Sequence, residues 1–276
     1  MTPILTLTTD FGLKDYFVGA LKGHIYSELP EAKIVDISHQ ITPFSIHETA
    51  YVIRNAYKHF PKGSIHIIAV DAEESIENKH IVLALDGHYF ICADNGVMSL
   101  IMANYKPEKI ISINLNHADT SYFLANFVQV ACHLARGGNI SLAGDEITEI
   151  QSTQEVRPTV NLEKNQIVGH VIYIDNYGNV VTNIDKQIFE EIGKGRKFEV
   201  RARKFVFDKI FEKYNDIENY DIPKDKRNYF GKRLALFNKD NFLEIALYRS
   251  NVDTVGGASN MLGLKYRDSV TVKFID

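Results

Sequence analysis

ILTLTTDFGLKDYFVGALKGHIY, residues Ile4 to Tyr26, is the stretch that decides how this chain folds. Ile4 to Thr8 is β-branched and apolar, the composition of a short buried strand. Thr9-Asp10-Phe11-Gly12 breaks that run, with Gly12 where a turn asks for a positive φ. From Asp15 onward Phe17, Leu21 and Ile25 recur at four-residue spacing, which is a helical period. The order is strand, carboxylate-bearing turn, helix. Open α/β sheets collect ligands at such carboxyl-terminal strand ends, so Asp10 and Asp15 stand where small-molecule chemistry is usually built.

The alternation continues outward from this unit. Lys33 to Ile37 reads as a second strand, and Ser45 with Glu48 spells a capping box for a helix over Ile46 to His59. Ser64 to Val70 is an apolar strand that runs into Asp71, and Ile81 to Leu85 with Tyr89 to Ala93 reads as a hairpin over Asp86-Gly87. Asp94-Asn95-Gly96 is a second tight turn. A helix from Val97 to about Asn104, a strand over Ile110 to Asn114 and a helix over Phe127 to Ala135 follow. Strands alternating with helices predict an α/β domain, residues 1–150, with a mainly parallel, helix-covered sheet. The polar, aperiodic stretch after it reads as a linker, residues 151–160. Beyond it come Gln166 to Ile174, Val180 to Ile184, Lys197 to Val200, Lys204 to Phe207, Arg233 to Phe237, Leu243 to Tyr248 and Ser269 to Phe274. Short strands at that spacing predict a smaller antiparallel, barrel-like β-domain over residues 161–276.

Composition narrows the function classes. Lys and Arg number 31 against 35 Asp and Glu, a net charge of -4, which provides no electrostatic footprint for nucleic acid or an anionic membrane. No apolar run approaches the roughly 20 residues needed to cross a bilayer, and no basic region followed by an apolar core suggests a signal peptide. Cys92 and Cys132 both fall in apolar patterns and read as buried free thiols of a reducing cytoplasm, a disulfide being the alternative that the pattern does not support. C-x-x-C, H-E-x-x-H and P-loop motifs do not occur.

Eight segments, in order, carry a resemblance to one family. In the first domain they are Thr9-Asp10-Phe11-Gly12 with Asp15, Asp36-Ile37-Ser38-His39, Thr42-Pro43-Phe44, Phe60-Pro61-Lys62-Gly63-Ser64, Val70-Asp71 and Ala93-Asp94-Asn95-Gly96. The second domain adds Tyr173-Ile174-Asp175-Asn176-Tyr177-Gly178-Asn179-Val180-Val181-Thr182-Asn183 and Phe242-Leu243-Glu244-Ile245-Ala246. Together they resemble the S-adenosyl-L-methionine hydroxide adenosyltransferases, adenosine-forming hydrolases related to the fluorinating and chlorinating S-adenosylmethionine enzymes. Any one segment is weak; the ordered set across both domains is specific.

The resemblance implies a homotrimer with a small-molecule nucleoside substrate and no cofactor, S-adenosyl-L-methionine being the substrate itself. The family's ligand lies between the α/β domain of one subunit and the β-domain of its neighbour. Asp10 matches the carboxylate that holds both ribose hydroxyls, Asp15 and Asp175 those that neutralise the methionine ammonium. Phe44 matches the aromatic against the ribose, Tyr177 one that flanks the nucleoside, and Asn179 the amide that reads the adenine edge. In the family's hydrolases an Asp, an Arg and a His orient the attacking water. Asp71 matches the Asp, but the Arg position holds Asn78, with Lys79 beside it, and the His position holds Tyr122. Ala72-Glu73-Glu74-Ser75 replaces the family's Pro and glycines, and Phe123 stands where the halogenating relatives have a halide-contacting Ser.

The plainer readings are a helix cap for Asp10, a loop cap for Asp71, packing for Tyr122, and a hard cation held by Asp10, Asp15 and Asp71. His39 and His47 read as surface residues or supports behind the site, and His66 and His133 as structural histidines. The expected function is hydrolysis of S-adenosyl-L-methionine to adenosine and L-methionine by water or hydroxide at ribose C5′. The alternative is a non-catalytic adenosine or S-adenosylmethionine binder that has lost the Asp-Arg-His set.

Overall fold

The protein is described here from a computed structural model, over residues 3–103, 105–115 and 122–275. Asn104, and Thr120 and Ser121 next to Tyr122, lie outside the described residues. The chain divides into two compact units, Met1–Glu155 and Val156–Asp276.

The first unit runs β1 (Ile4–Thr9), α1 (Phe17–Glu28), β2 (Lys33–Ser38), α2 (Ile46–Ala56), β3 (Ile65–Ala69), β4 (His80–Leu85), β5 (His88–Ala93), α3 (Val97–Met102), β6 (Lys109–Ile113), α4 (Ala125–Ala135) and β7 (Gly144–Glu146). The strands form one sheet in the order β2-β1-β3-β5-β4-β6-β7. β2, β1, β3 and β5 are mutually parallel. β4 is antiparallel to both of its neighbours, which turns β6 back into the direction of β5. The sheet is therefore mixed but mainly parallel, and the hairpin over Asp86-Gly87 supplies its reversal, Asp86 and Gly87 both holding positive φ.

Both faces of the sheet's centre are covered, and β1, β3, β4 and β5 are accordingly buried on both sides. Leu5, Leu7, Ile65, Ile67 and Ile91 pack with Leu21 and Ile25 of α1 and Phe127 and Ala131 of α4. On the other face Ile68, Ile81, Leu83, Phe90 and Cys92 pack with Ala50 and Ile53 of α2 and Val97 and Ile101 of α3. Both cysteines are free and buried.

The second unit contains β8 (Thr159–Val160), β9 (Gln166–Ile174), β10 (Val180–Asp185), α5 (Lys186–Gly193), β11 (Lys197–Ala202), β12 (Phe205–Phe207), β13 (Ile210–Phe211), β14 (Arg233–Phe237), β15 (Phe242–Leu247), α6 (Ala258–Leu262) and β16 (Ser269–Ile275). Its sheet runs β12-β11-β16-β9-β10-β15-β14-β13, with β8 beside β9. The pairings are antiparallel except for the short β13–β14 contact. β12 and β13 lie at opposite ends of that order, yet only Asp208 and Lys209 separate them in sequence. The sheet must curl round on itself, a nearly closed barrel filled by Ile167, Val171, Val180, Val200, Ile245, Val270 and Val272. The segment after Ile150 is anchored at both ends: Thr153 N–H donates to Ser99 in the first unit, while Thr159 pairs with Val168 in the second.

A buried polar cluster in the first unit bears on stability. His66 Nδ1 is hydrogen-bonded to the Thr6 hydroxyl, 2.7 Å away, and its Nε2 to His88 Nδ1 at 3.2 Å, so a neutral ring donates through one nitrogen and accepts through the other. Burial first, and then His88, push His66 down to about 3, whereas an unfolded histidine titrates near 6.5. Between those values the unfolded chain takes up a proton that the folded one refuses. This contribution to stability is complete above about pH 6.5 and is lost as the pH falls toward about 3. Melting temperature should drop across that window, and His66→Gln should flatten the dependence. An unchanged slope in the variant would place the acid sensitivity elsewhere.

Candidate functional site

Thr9 ends β1 opposite Ala69, which ends β3, and β5 lies alongside β3 in parallel register. Asp10, Asp71 and the Asp94-Asn95 turn therefore leave the sheet at one edge, the carboxyl ends of three adjacent strands. Asp10 does not cap α1: that helix begins after Tyr16 and has no side-chain cap. Instead, Asp10 Oδ2 accepts the Phe44 N–H at 2.9 Å, tying the turn to the loop before α2. Phe44 has a φ of 63° and its ring stays 72% exposed, a flat apolar surface beside the carboxylate. The expected capping box also gives way. Ser45 makes no cap bond, and Glu48 Oε2 accepts the Thr42 N–H at 3.3 Å, so the carboxylate steadies the Phe44 loop rather than the helix end.

Behind Asp10 lies His39, which is only 4% exposed and thus no surface residue. Its Nδ1 is 2.9 Å from Thr9 Oγ1, its Nε2 is 3.1 Å from Asp36 Oδ1, and its carbonyl accepts the Gly12 N–H at 2.7 Å. Lys22 of α1 donates to Asp36 at 2.6 Å. Burial opposes ionisation of Asp36, but Lys22 and His39 outweigh it and hold the carboxyl below its usual value. A chain of contacts from α1 through β2 thus fixes the turn that presents Asp10, while Asp15 stands exposed just beyond it.

Asp71 takes a left-handed conformation with φ 48°. Its carbonyl accepts the side-chain amides of Asn78 at 3.1 Å and Asn95 at 3.2 Å. Asn78 also donates to the Glu73 carbonyl at 3.1 Å, and its backbone exchanges hydrogen bonds with Ser75, so it closes the loop after Asp71. Lys79 is exposed, and among the described residues no ion pair joins it to Asp71. The same loop is fastened to α4, where Asn126 donates to Glu74 at 3.0 Å and to His80 Nδ1 at 3.4 Å. Tyr122, just before α4, is half-buried and stacks on His24 of α1 at 4.0 Å. Burial pushes its phenol up to about 12, so at neutral pH it is a proton donor and not a base.

In the second unit Asp175, Tyr177 and Asn179 share one turn between β9 and β10. Asp175 Oδ1 accepts the N–H groups of Tyr177 at 2.9 Å and Asn179 at 2.8 Å, and its Oδ2 accepts the Asn179 side-chain amide at 3.0 Å. Tyr177 is 69% exposed, whereas Asn179 is buried. Gly178, at φ 73°, passes so close to Gly257 that an added Cβ would lie 2.8 Å from its Cα. Glu244 of β15 is buried nearby, bonded to Tyr214; burial first, offset by that bond, and then Asp175 raise its carboxyl.

Residues 5–144 match the family model described as SAM hydroxide adenosyltransferase N-terminal domain, and residues 169–271 match its C-terminal domain. The chain belongs to the SAM hydroxide adenosyltransferase family. It is 31% identical over 280 residues to the (R)-S-adenosyl-L-methionine hydrolase of Methanocaldococcus jannaschii, covering 98% of this chain and 95% of that one. The (R)-S-adenosyl-L-methionine hydrolase of Thermus thermophilus is 25% identical over 282 residues, 96% of this chain and 97% of its own. A crystal structure of an uncharacterized conserved protein from Thermotoga maritima superposes with a TM-score of 0.81 at 26% identity, over 98% of this chain and all of that one.

Of the two readings the sequence leaves for His39, surface or support, the structure takes the support. Asn95 reads in the sequence as a turn residue, and only its place inside a family-like segment signals the contacts that its amide makes to the Val70 and Asp71 carbonyls. Gly178→Ala should destabilise the second unit by about 1–2 kcal/mol, from the left-handed backbone alone. Denaturant melts check this, and wild-type stability in the variant would mean that the turn leaves the left-handed conformation at no cost.

Proposed function

We propose that this chain hydrolyses S-adenosyl-L-methionine to adenosine and L-methionine, with water or hydroxide attacking ribose C5′. The observation that carries this reading is the delivery of Asp10 and Asp71 from the paired ends of β1 and β3, inside a chain that matches the family over both domains. Asp10 is the bidentate acceptor for the ribose hydroxyls, with the exposed Phe44 ring against the sugar. Asp15 and, from the β-domain of a neighbouring subunit, Asp175 face the methionine ammonium, and Tyr177 and Asn179 of that same neighbouring β-domain take the nucleoside ring and the adenine edge. Asp71 orients the water and accepts its proton as the O–C5′ bond forms. The C5′–S bond breaks with its electron pair going to sulfur, which discharges the sulfonium and releases neutral thioether. Tyr122 serves as a hydrogen-bond donor, in line with its raised phenol, and Lys79 supplies positive charge from the rim. A homotrimer is part of the reading, and light scattering tests it.

The second reading is a binder without turnover. It is favoured by one observation: the amide of Asn78, at the position of the family's Arg, is spent on backbone carbonyls. Incubation with S-adenosyl-L-methionine, with adenosine and methionine followed by mass spectrometry, separates the two. Asp71→Asn should lower kcat by roughly 10²–10⁴-fold, and Asp10→Ala should chiefly raise KM. Ligand-induced thermal stabilisation without product would select the binder. Neither product nor stabilisation would overturn both.

A further inference from the structure

We propose that Asn95, acting with Asn78, is the positioning residue that aims the Asp71 carboxylate, and that it does so through the Asp71 main chain. The inference rests on the reading that Asp71 receives the proton of the attacking water. β3 and β5 leave the sheet side by side, so the turn after β5 reaches the turn after β3. Asn95 Nδ2 donates to the carbonyls of Val70 at 3.1 Å and Asp71 at 3.2 Å, and its Oδ1 accepts the Val97 N–H at 3.1 Å. Asn78 Nδ2 approaches the same Asp71 carbonyl from the loop, at 3.1 Å. One carbonyl thus holds two amide donors, which uses both of its lone pairs.

The Asp71 carboxylate itself takes no hydrogen bond or ion pair among the described residues. Its direction is therefore inherited from its backbone, and that backbone sits in a left-handed well that an unclamped aspartate seldom holds. Any release of the peptide toward negative φ would swing the carboxylate away. At the position of the family's Arg, this chain uses an amide to fix the loop rather than a cation to face the ligand. Asp10 is untouched by the clamp, since its carboxylate bonds to the Phe44 N–H instead.

Asn95→Asp separates positioning from folding. The carboxylate keeps the acceptor for the Val97 N–H and the shape of the side chain. It replaces the donor with an oxygen facing two carbonyls. We expect kcat for adenosine formation to fall on the order of 10²-fold, as a misplacement of about 1 Å can cause, with KM unchanged. We expect a crystal structure of the variant to show Asp71 out of the positive-φ region. A purely structural role would lower thermal stability and disturb KM together with kcat. The proposal is overturned if Asp71 keeps its conformation in Asn95→Asp, or if kcat is retained. If wild type forms no adenosine, the hydrolase reading fails by itself and the backbone conformation in the variant still decides the clamp. Should Asn95→Asp not fold, Asn78→Ala removes the other donor to the same carbonyl and is read in the same way.

Discussion

Parallel pairing of β1 with β3, Thr9 against Ala69, is the constraint on which the first unit depends. Parallel strands must end on the same side, so every segment that leaves them begins its turn at one edge of the sheet. Leu5 and Leu7 pack toward one face with Ile65 and Ile67, while Ile68 packs toward the other. Because a register slip of one residue would exchange the faces, the buried pattern locks the strand ends in place. Asp10 and Asp71 are rigidly based for that reason, even though both belong to turns.

The turns themselves are held by polar side chains and not by apolar packing. Thr9 and His39 hold the Asp10 turn, Asp10 holds Phe44, and Asn78 and Asn95 hold Asp71. Each bond satisfies a main-chain or side-chain group that regular secondary structure leaves over at a strand end. Two non-glycine residues at this edge, Phe44 and Asp71, adopt positive φ, a conformation that persists only when its surroundings over-determine it. Strain and polar clamping thus coincide where chemistry would be carried out.

The second unit solves a different problem with different means. Its strands must curl until β12 and β13, joined by two residues, stand at the two ends of one sheet. The turn between β9 and β10 sits on this curved frame and draws its order from Asp175, whose carboxylate accepts from three donors. The glycines at 178 and 257 let two loops meet at backbone contact, closer than any Cβ would permit.

Much of this was legible in the amino-acid sequence. The strand-turn-helix order of residues 4–26, the hairpin over Asp86-Gly87 and the change to short strands after residue 160 follow from local period and turn chemistry, because apolar spacing and Gly positions act over a few residues. The ordered family-like segments marked Asp10, Phe44, Asp71, Asp175 and Asn179, and the structure sets the first three at one sheet edge or its adjoining loop and the last two in one turn. Local pattern could not show that Asp10 tethers Phe44 across 34 residues, that Glu48 serves the Phe44 loop instead of Ser45, or that His39 is buried under Thr9. Nor could it show that the amide of Asn78 turns inward to the Asp71 carbonyl. Those outcomes depend on which chain ends the parallel register brings together, a long-range fact that no window of sequence contains. The sequence by itself determined the order of the elements and which polar residues stand at their ends; only the tertiary structure decided which polar group satisfies which, since each bond joins residues that meet only after the sheet has formed.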